Sequence, residues 1–192
     1  MAIIIETERL ILRTWEPEDA ETWFQINQDP KVIEFLRGSL TMEQVTDFIV
    51  AANNHADKYN YTLWAACLKQ TGELIGYTGL NYVEWQAHFT PAVEIGWRLS
   101  SQQWNKGYAT ESAKASLQFG FNQCALKKIV SFTVPANKRS IRVMDKIGMK
   151  RDIDGDFAHP KLPLNHPLSK HLLYCLDSDS YAKNSLGIKN DL

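Results

Sequence analysis

The sequence predicts an α+β (mixed α/β) fold built as one domain. Three observations carry that reading. Helix-period segments dominate the first third, three strand-like runs follow in succession, and the chain then alternates strand, helix, strand, helix, strand. No repeat, low-complexity tract or linker divides the 192 residues, a length that suits one ordinary domain with a substantial core.

"TERLILRTW" (Thr7 to Trp15) alternates charged and apolar residues and reads as a strand. "EPEDAETWFQINQDP" offers Pro17 at a helix start, acidic residues in the first turn, and Ala20, Trp23 and Phe24 on one face. Pro30 ends or kinks that helix, and "KVIEFLRG" reads as a second short one closing at Gly38. With Thr41 as N-cap, Met42, Val45, Phe48, Ile49 and Ala52 then recur at helical spacing.

"YTLWAACLK", "ELIGYTGLNYVE" and "AVEIGWRLS" read as strands, the first two joined by a turn at Gln70-Thr71-Gly72. A polar loop leads into a helix from about Tyr108 to Asn122, and "KKIVSFTV" presents Val130, Phe132 and Val134 on one strand face. A helix from about Asn137 to Ile147 stops at Gly148. "YCLD", with the residues before it, makes the last strand. The domain thus spans residues 1–177, and 178–192 form a polar C-terminal tail.

Composition narrows the functional classes. At 44% hydrophobic and 22% charged residues, the chain has a soluble globular character. A net charge of −1 without a long basic run points away from nucleic-acid and anionic-membrane partners. Cys67, Cys124 and Cys175 are scattered and show no CxxC spacing, as expected of reduced thiols in a cytoplasmic protein. "MAIIIETERL" does not read as a secretory signal, because Glu6 follows the short isoleucine run, and no segment approaches the ~20 apolar residues of a membrane span. His159 and His166 lie in a Pro-rich loop with no Cys or acidic ligand between them, so no metal is expected.

The segment "QQWNKGYATESAKASLQFGF" (Gln102 to Phe121) is the richest in chemistry. A helix N-terminus leaves about four N–H groups unpaired and carries roughly +0.5 of a charge, which suits a phosphate or pyrophosphate. Gly107 lets backbone approach closely, Asn105 tolerates a left-handed turn, and Lys106 adds a cation. Ala109, Ser112, Ala113 and Ser116 are small enough to let the helix lie close to a sheet. A plain strand-to-helix connection would share much of this pattern.

"WNKGYATES" resembles the pyrophosphate-binding loop of the GNAT N-acetyltransferases, whose pattern is Gln/Arg-x-x-Gly-x-Gly/Ala. Gln102 takes its first place, Asn105 stands where the first glycine belongs, and Gly107 is the second. "ETERLILRTWEPEDAETWFQINQDPKVIEFL", "VEIGWRLS" and "NKRSIRVMDKIGMKRD" are similar to the branch of the ribosomal-protein alanine acetyltransferases (RimJ/RimL-like), in the right order over roughly residues 6–177. The resemblance implies a mostly antiparallel central sheet splayed between two parallel strands, "VEIGWRLS" and "KKIVSFTV", with helices on both faces. It implies acetyl-CoA as co-substrate, its pantetheine arm along the strand backbone at Trp97 and Leu99. Its pyrophosphate is then held by Gln102, Gln103, Asn105, Lys106, Gly107, Tyr108, Ala109 and Thr110, with Asn137 near the pantetheine or capping the next helix. The other partner is an amine, and the chain is expected to act as a monomer or homodimer.

Acetyl transfer needs a neutral amine, a polarised thioester carbonyl and a proton for the leaving thiolate. Glu94 is the candidate base, on the strand before the loop; alternation also puts it on one face with Arg98, so a structural ion pair is the competing role. Many relatives place a tyrosine seven residues after the motif's asparagine to protonate the thiolate, but Met144 occupies that position. Ser140 matches the serine of the ribosomal-protein branch and is the candidate acid, with helix capping as its alternative role. The backbone N–H near Trp97 would polarise the carbonyl, and Trp85 is a candidate acceptor contact. No cysteine lies in the motif stretches, so direct attack in a ternary complex is expected.

A protein or peptide N-terminal α-amine is the first acceptor by this resemblance, with a small amine (polyamine, amino acid or antibiotic) second. A non-catalytic coenzyme A sensor is the alternative of a different class, motivated by Asn105 and Met144. A nucleotide-binding module would need a Walker Lys-Ser pair or a GxGxxG motif, and neither is present.

Overall fold

The computed structural model describes residues 2–185. It begins with two short strands, β1 (Ile3–Glu6) and β2 (Leu10–Arg13), then three helices, α1 (Asp19–Ile26), α2 (Pro30–Ile33) and α3 (Met42–Tyr59). Strands β3 (Leu63–Leu68), β4 (Leu74–Val83) and β5 (Ala92–Leu99) lead through a 3-10 turn at Ser101–Gln103 into α4 (Tyr108–Asn122). Then come β6 (Lys128–Thr133), α5 (Lys138–Lys146), β7 (Lys150–Ala158), β8 (Lys170–Asp177) and α6 (Ser178–Ser185). The strands hydrogen-bond in the order β1-β2-β3-β4-β5-β6-β8-β7. Pairings from β1 through β4, and those of β8 with β6 and β7, are antiparallel, whereas β5 and β6 run parallel. The predicted mixed, mostly antiparallel α+β sheet is therefore present.

Two compact units divide the described residues: 2–81 with Ile95–Gly120, and Tyr82–Glu94 with 121–185. In the first, strand alternation sorts side chains to two helix-covered faces. Ala65 and Cys67 of β3 join the core formed with Trp15, Trp23, Ile26, Val45, Ile49 and Ala52, on the side of α1 and α3. Trp64, between them, meets Phe119 of α4 edge-on at 5.1 Å. β4 repeats the pattern: Tyr77 packs on Trp23 at 5.4 Å, while the Ser112 hydroxyl of α4 donates to Thr78 Oγ1 at 2.9 Å. Ser112, Ala113 and Ser116 are fully buried, so small side chains do set the close approach of α4.

Local chemistry fixes the helix ends. Thr41 caps α3, accepting from Gln44 N at 3.2 Å, and Gln44 Oε1 accepts from Thr41 N at 2.9 Å, a reciprocal capping box. Pro30 opens α2 instead of closing α1, because Asp29 caps that helix by accepting from Lys31 N at 2.9 Å and a proline is well placed in a first turn. At the start of α1, Asp19 takes a bidentate pair from Arg13 at 2.6 and 2.7 Å, both residues being buried. Removing either partner of so buried a pair would cost about 3–5 kcal/mol.

In the second unit β6 pairs with β8 from Lys128↔Asp177 to Thr133↔Leu172, burying Ile129, Val130, Leu173 and Leu176. Asn137 caps α5, and Gly148 ends it with φ 84°. β7 is a strand that the hydrophobic pattern does not announce. It is the terminal strand, paired only with β8, and its register shifts between Asp152 and Phe157. Ile153 is 76% exposed there, so its few apolar residues do not alternate toward a core. The polar segment after Asp177 contains α6, whose Tyr181 stacks on Phe121 at 4.7 Å; residues 186–192 lie outside the described residues.

Candidate active site

In the first unit, the loop ahead of α4 has the backbone that its sequence foreshadows. Asn105 and Gly107 both adopt left-handed conformations, φ 61° and 86°, with Lys106 between them. Glu111 N donates to Gly107 O at 3.0 Å, so the N–H groups before Glu111 begin the helix with no acceptor one turn back. Lys106 Nζ donates to Gln103 Oε1 at 2.8 Å, and Gln103 is itself buried with Nε2 3.4 Å from Glu73 Oε1. Trp104 Nε1 donates to Leu99 O at 2.9 Å, and the Ser101 hydroxyl donates to Asp29, tying the loop's entry to β5 and α2. Trp97, Leu99, Gln102, Gln103, Asn105, Lys106, Gly107, Tyr108, Ala109 and Thr110 thus all fall within this unit, on β5, the loop and the first turn of α4.

Sequence reasoning missed the residues that brace this loop. Arg9, in the β1–β2 connection, donates through Nη1 to Lys106 O at 3.0 Å and through Nε to Glu111 Oε2 at 2.7 Å. Its guanidinium lies 4.7 Å from the Tyr108 ring centroid. Glu111 Oε1 also accepts from the Thr7 hydroxyl at 2.6 Å and from Arg9 N at 2.9 Å. A contact across about a hundred residues leaves no local pattern to read.

In the second unit, Val93 and Glu94 of β5 pair in parallel with Ile129 and Val130 of β6. Glu94 is half-buried, and desolvation pushes its pKa up to about 8, with neither a cation nor a hydrogen-bond donor offsetting it. An ion pair would have lowered it. Arg98 is engaged in its own unit, donating to Asn27 Oδ1 at 2.5 Å and lying over the rings of Trp23 and Tyr77. The structural ion pair weighed from the sequence is therefore not the environment of Glu94.

Comparison with known proteins places the chain. The Acetyltransferase (GNAT) domain family matches residues 9–150. The chain belongs to the GNAT acetyltransferase family. It is 35% identical over 144 residues to the uncharacterized protein YkkB of Bacillus subtilis, covering 74% of this chain and 83% of that protein. It is 34% identical over 149 residues to the uncharacterized N-acetyltransferase YnaD of the same organism, covering 77% and 83%. The crystal structure of a GNAT-family acetyltransferase from Bacillus anthracis superposes with a TM-score of 0.74 at 28% identity, covering 91% of this chain and 98% of that one.

Against that family the two departures acquire physical meanings. Asn105, in place of a GNAT glycine, adopts the left-handed conformation that a glycine would supply, so the turn is preserved. Met144, in place of a GNAT tyrosine, is 1% exposed and belongs to the core. Asn137 Oδ1 accepts from Ser140 N at 3.2 Å, and Asn137 Nδ2 donates to Thr133 Oγ1 at 3.2 Å. Asn137 is the cap and Ser140 is capped, which leaves the half-buried Ser140 without the capping role that its position suggested.

A ring cluster marks the rest of the second unit. Trp85 stacks on Phe157 at 5.8 Å and lies 5.0 Å from His159, and Phe132 and His171 join them. All five are half-buried. Burial holds His171 below the usual imidazole range. His159 is therefore part of a ring stack and His166 donor-acceptor geometry is local, its Nδ1 accepting from Leu168 N at 3.1 Å. Among the described residues no group of three His, Cys, Asp or Glu could hold a metal ion, and no helix is long and apolar enough to cross a membrane.

Proposed function

We propose that this GNAT acetyltransferase moves an acetyl group from acetyl-CoA to an α-amine at a protein or peptide N-terminus, as a member of the ribosomal-protein alanine acetyltransferase (RimJ/RimL-like) branch. The residues at hand fit the donor. Two left-handed residues, unpaired first-turn N–H groups and the Lys106 cation make an anion-accepting turn. Gln102, Gln103, Asn105, Lys106, Gly107, Tyr108, Ala109 and Thr110 would hold the pyrophosphate, and the backbone at Trp97 and Leu99 the pantetheine arm. Acetyl-CoA supplies an activated acetyl group as a thioester.

The observation behind the acceptor reading is the half-buried carboxyl of Glu94 on β5. Among the described residues no cation or hydrogen-bond donor lies beside it, so burial pushes its pKa up to about 8. An α-ammonium has a pKa of about 7.8, so passing its proton to a carboxylate of about 8 is nearly thermoneutral. From a lysine ammonium near 10.4 the same transfer costs ~3 kcal/mol. A group matched to its proton donor is the efficient base. Glu94 takes the amine proton, directly or through a water. The amine then attacks, the C–S bond breaks, and in this reading the Ser140 hydroxyl gives its proton to the departing thiolate. A backbone N–H near Trp97 is the donor to the carbonyl oxygen.

The test is a transfer screen with acetyl-CoA against three acceptor sets: peptides with free N-termini, the same peptides N-terminally blocked but bearing lysine, and small amines such as polyamines and aminoglycosides. Activity confined to free N-termini supports the reading. Turnover of small amines alone would replace it with the small-amine alternative.

A further inference from the structure

The turn that would meet the phosphate takes its shape from left-handed backbone. Two left-handed residues flank Lys106, and one of them, Asn105, is a non-glycine residue in a region that side chains rarely adopt. Arg9 spans this turn. One guanidinium reaches Lys106 O at 3.0 Å, covers the ring of Tyr108, the first helical residue, and binds Glu111 at 2.6 and 2.7 Å. A Cβ built on Gly107 would stand 3.3 Å from Arg9 Nη2, so the guanidinium packs directly under the turn. Glu111 is anchored in return by Thr7 Oγ1 and Arg9 N. Burial alone would raise its pKa, yet these hydrogen bonds and the Arg9 charge hold it below the usual carboxylate range.

We infer that Arg9, with Thr7 and Glu111, is a positioning residue that holds the 105–107 turn in its coenzyme A-binding shape. Arg9 does not act as the phosphate's ligand. Its charge is neutralised by Glu111, whereas Lys106 is held only by the neutral amide oxygen of Gln103, which leaves Lys106 as the cation for an anion. The inference rests on reading this loop as the coenzyme A site.

Glu111→Gln separates the two roles by sign. If Arg9 were a phosphate ligand restrained by Glu111, freeing it would tighten coenzyme A binding. If the pair is a clamp, freeing it weakens binding. Calorimetric titration of the full chain with coenzyme A should show at least a fivefold loss for both Glu111→Gln and Arg9→Met, and a smaller loss for Arg9→Lys, which keeps one donor. Pantetheine, which lacks the pyrophosphate, should bind both variants as it binds the wild type. Without any ligand, hydrogen exchange of the amide at position 111, whose N–H donates to Gly107 O across the turn, should speed up in both variants while the core amides stay protected. Tighter coenzyme A binding by Glu111→Gln, or unchanged loop exchange and affinity in folded variants, would overturn the inference. A wild-type chain that binds no coenzyme A would instead sink the loop reading, while the exchange data would still judge the clamp.

Discussion

Asn105 and Gly107 share left-handed backbone, φ 61° and 86°, on either side of Lys106. This shape needs residues without a branched Cβ. Asn105→Gly should leave acetyl-CoA affinity unchanged or slightly improved. Gly107→Val, at φ 86° and against Arg9, should weaken it at least tenfold, ~1.4 kcal/mol. Calorimetry on folded protein checks both, and full affinity in Gly107→Val would move the pyrophosphate elsewhere.

Glu94→Gln should preserve acetyl-CoA affinity while lowering turnover at pH 7 by about 10²-fold, the scale of general base catalysis. The deficit should shrink above the acceptor's own pKa, where the amine arrives neutral. An undiminished rate at low pH in a stable variant would remove Glu94 from the mechanism.

Stability should report on the same carboxyl. The folded-state pKa of Glu94, about 8, lies above its unfolded value of 4.5, so the folded chain retains a proton that the unfolded chain releases. The associated stability is fully present below about pH 4.5 and is lost as pH rises through 8. The wild type should therefore lose melting temperature between pH 5 and 8.5 relative to Glu94→Gln. Parallel curves for the two proteins would contradict the raised pKa.

Asn137 and Ser140 should separate cleanly. Asn137→Ala removes a cap and should cost about 1 kcal/mol of stability. Ser140→Ala, whose backbone N–H keeps its bond to Asn137, should leave stability within ~0.5 kcal/mol of wild type and lower turnover. Equal activity in Ser140→Ala would assign the thiol's proton to water.

Met144→Tyr tests whether the family's tyrosine position could serve here. With Met144 1% exposed, the larger ring should overpack the core and destabilise by about 1–3 kcal/mol, without raising the rate. A stable, faster variant would show that the position opens onto the reacting groups.

What the sequence determined by itself is what neighbours along the chain decide. The α4 limits, the Thr41 and Asn137 caps, the Gly148 stop and the left-handed tolerance of Asn105 depend on residues a few positions apart, as backbone preference and side-chain periodicity do. By contrast, α2 ends at Ile33, short of the stop expected at Gly38. The ordered motifs over roughly residues 6–177 carried the family resemblance. β7 stayed hidden because an edge strand with an exposed Ile153 has no core-facing alternation to display. Tertiary structure alone decided three further matters: that Glu111 is held by Thr7 at a separation of 104 residues, that Met144 points into a core, and that Glu94 is desolvated with no compensating charge. Each depends on what surrounds a side chain in space. Desolvation and long-range hydrogen bonds are set by atoms that the fold brings near, and the spacing of residues along the chain does not encode them.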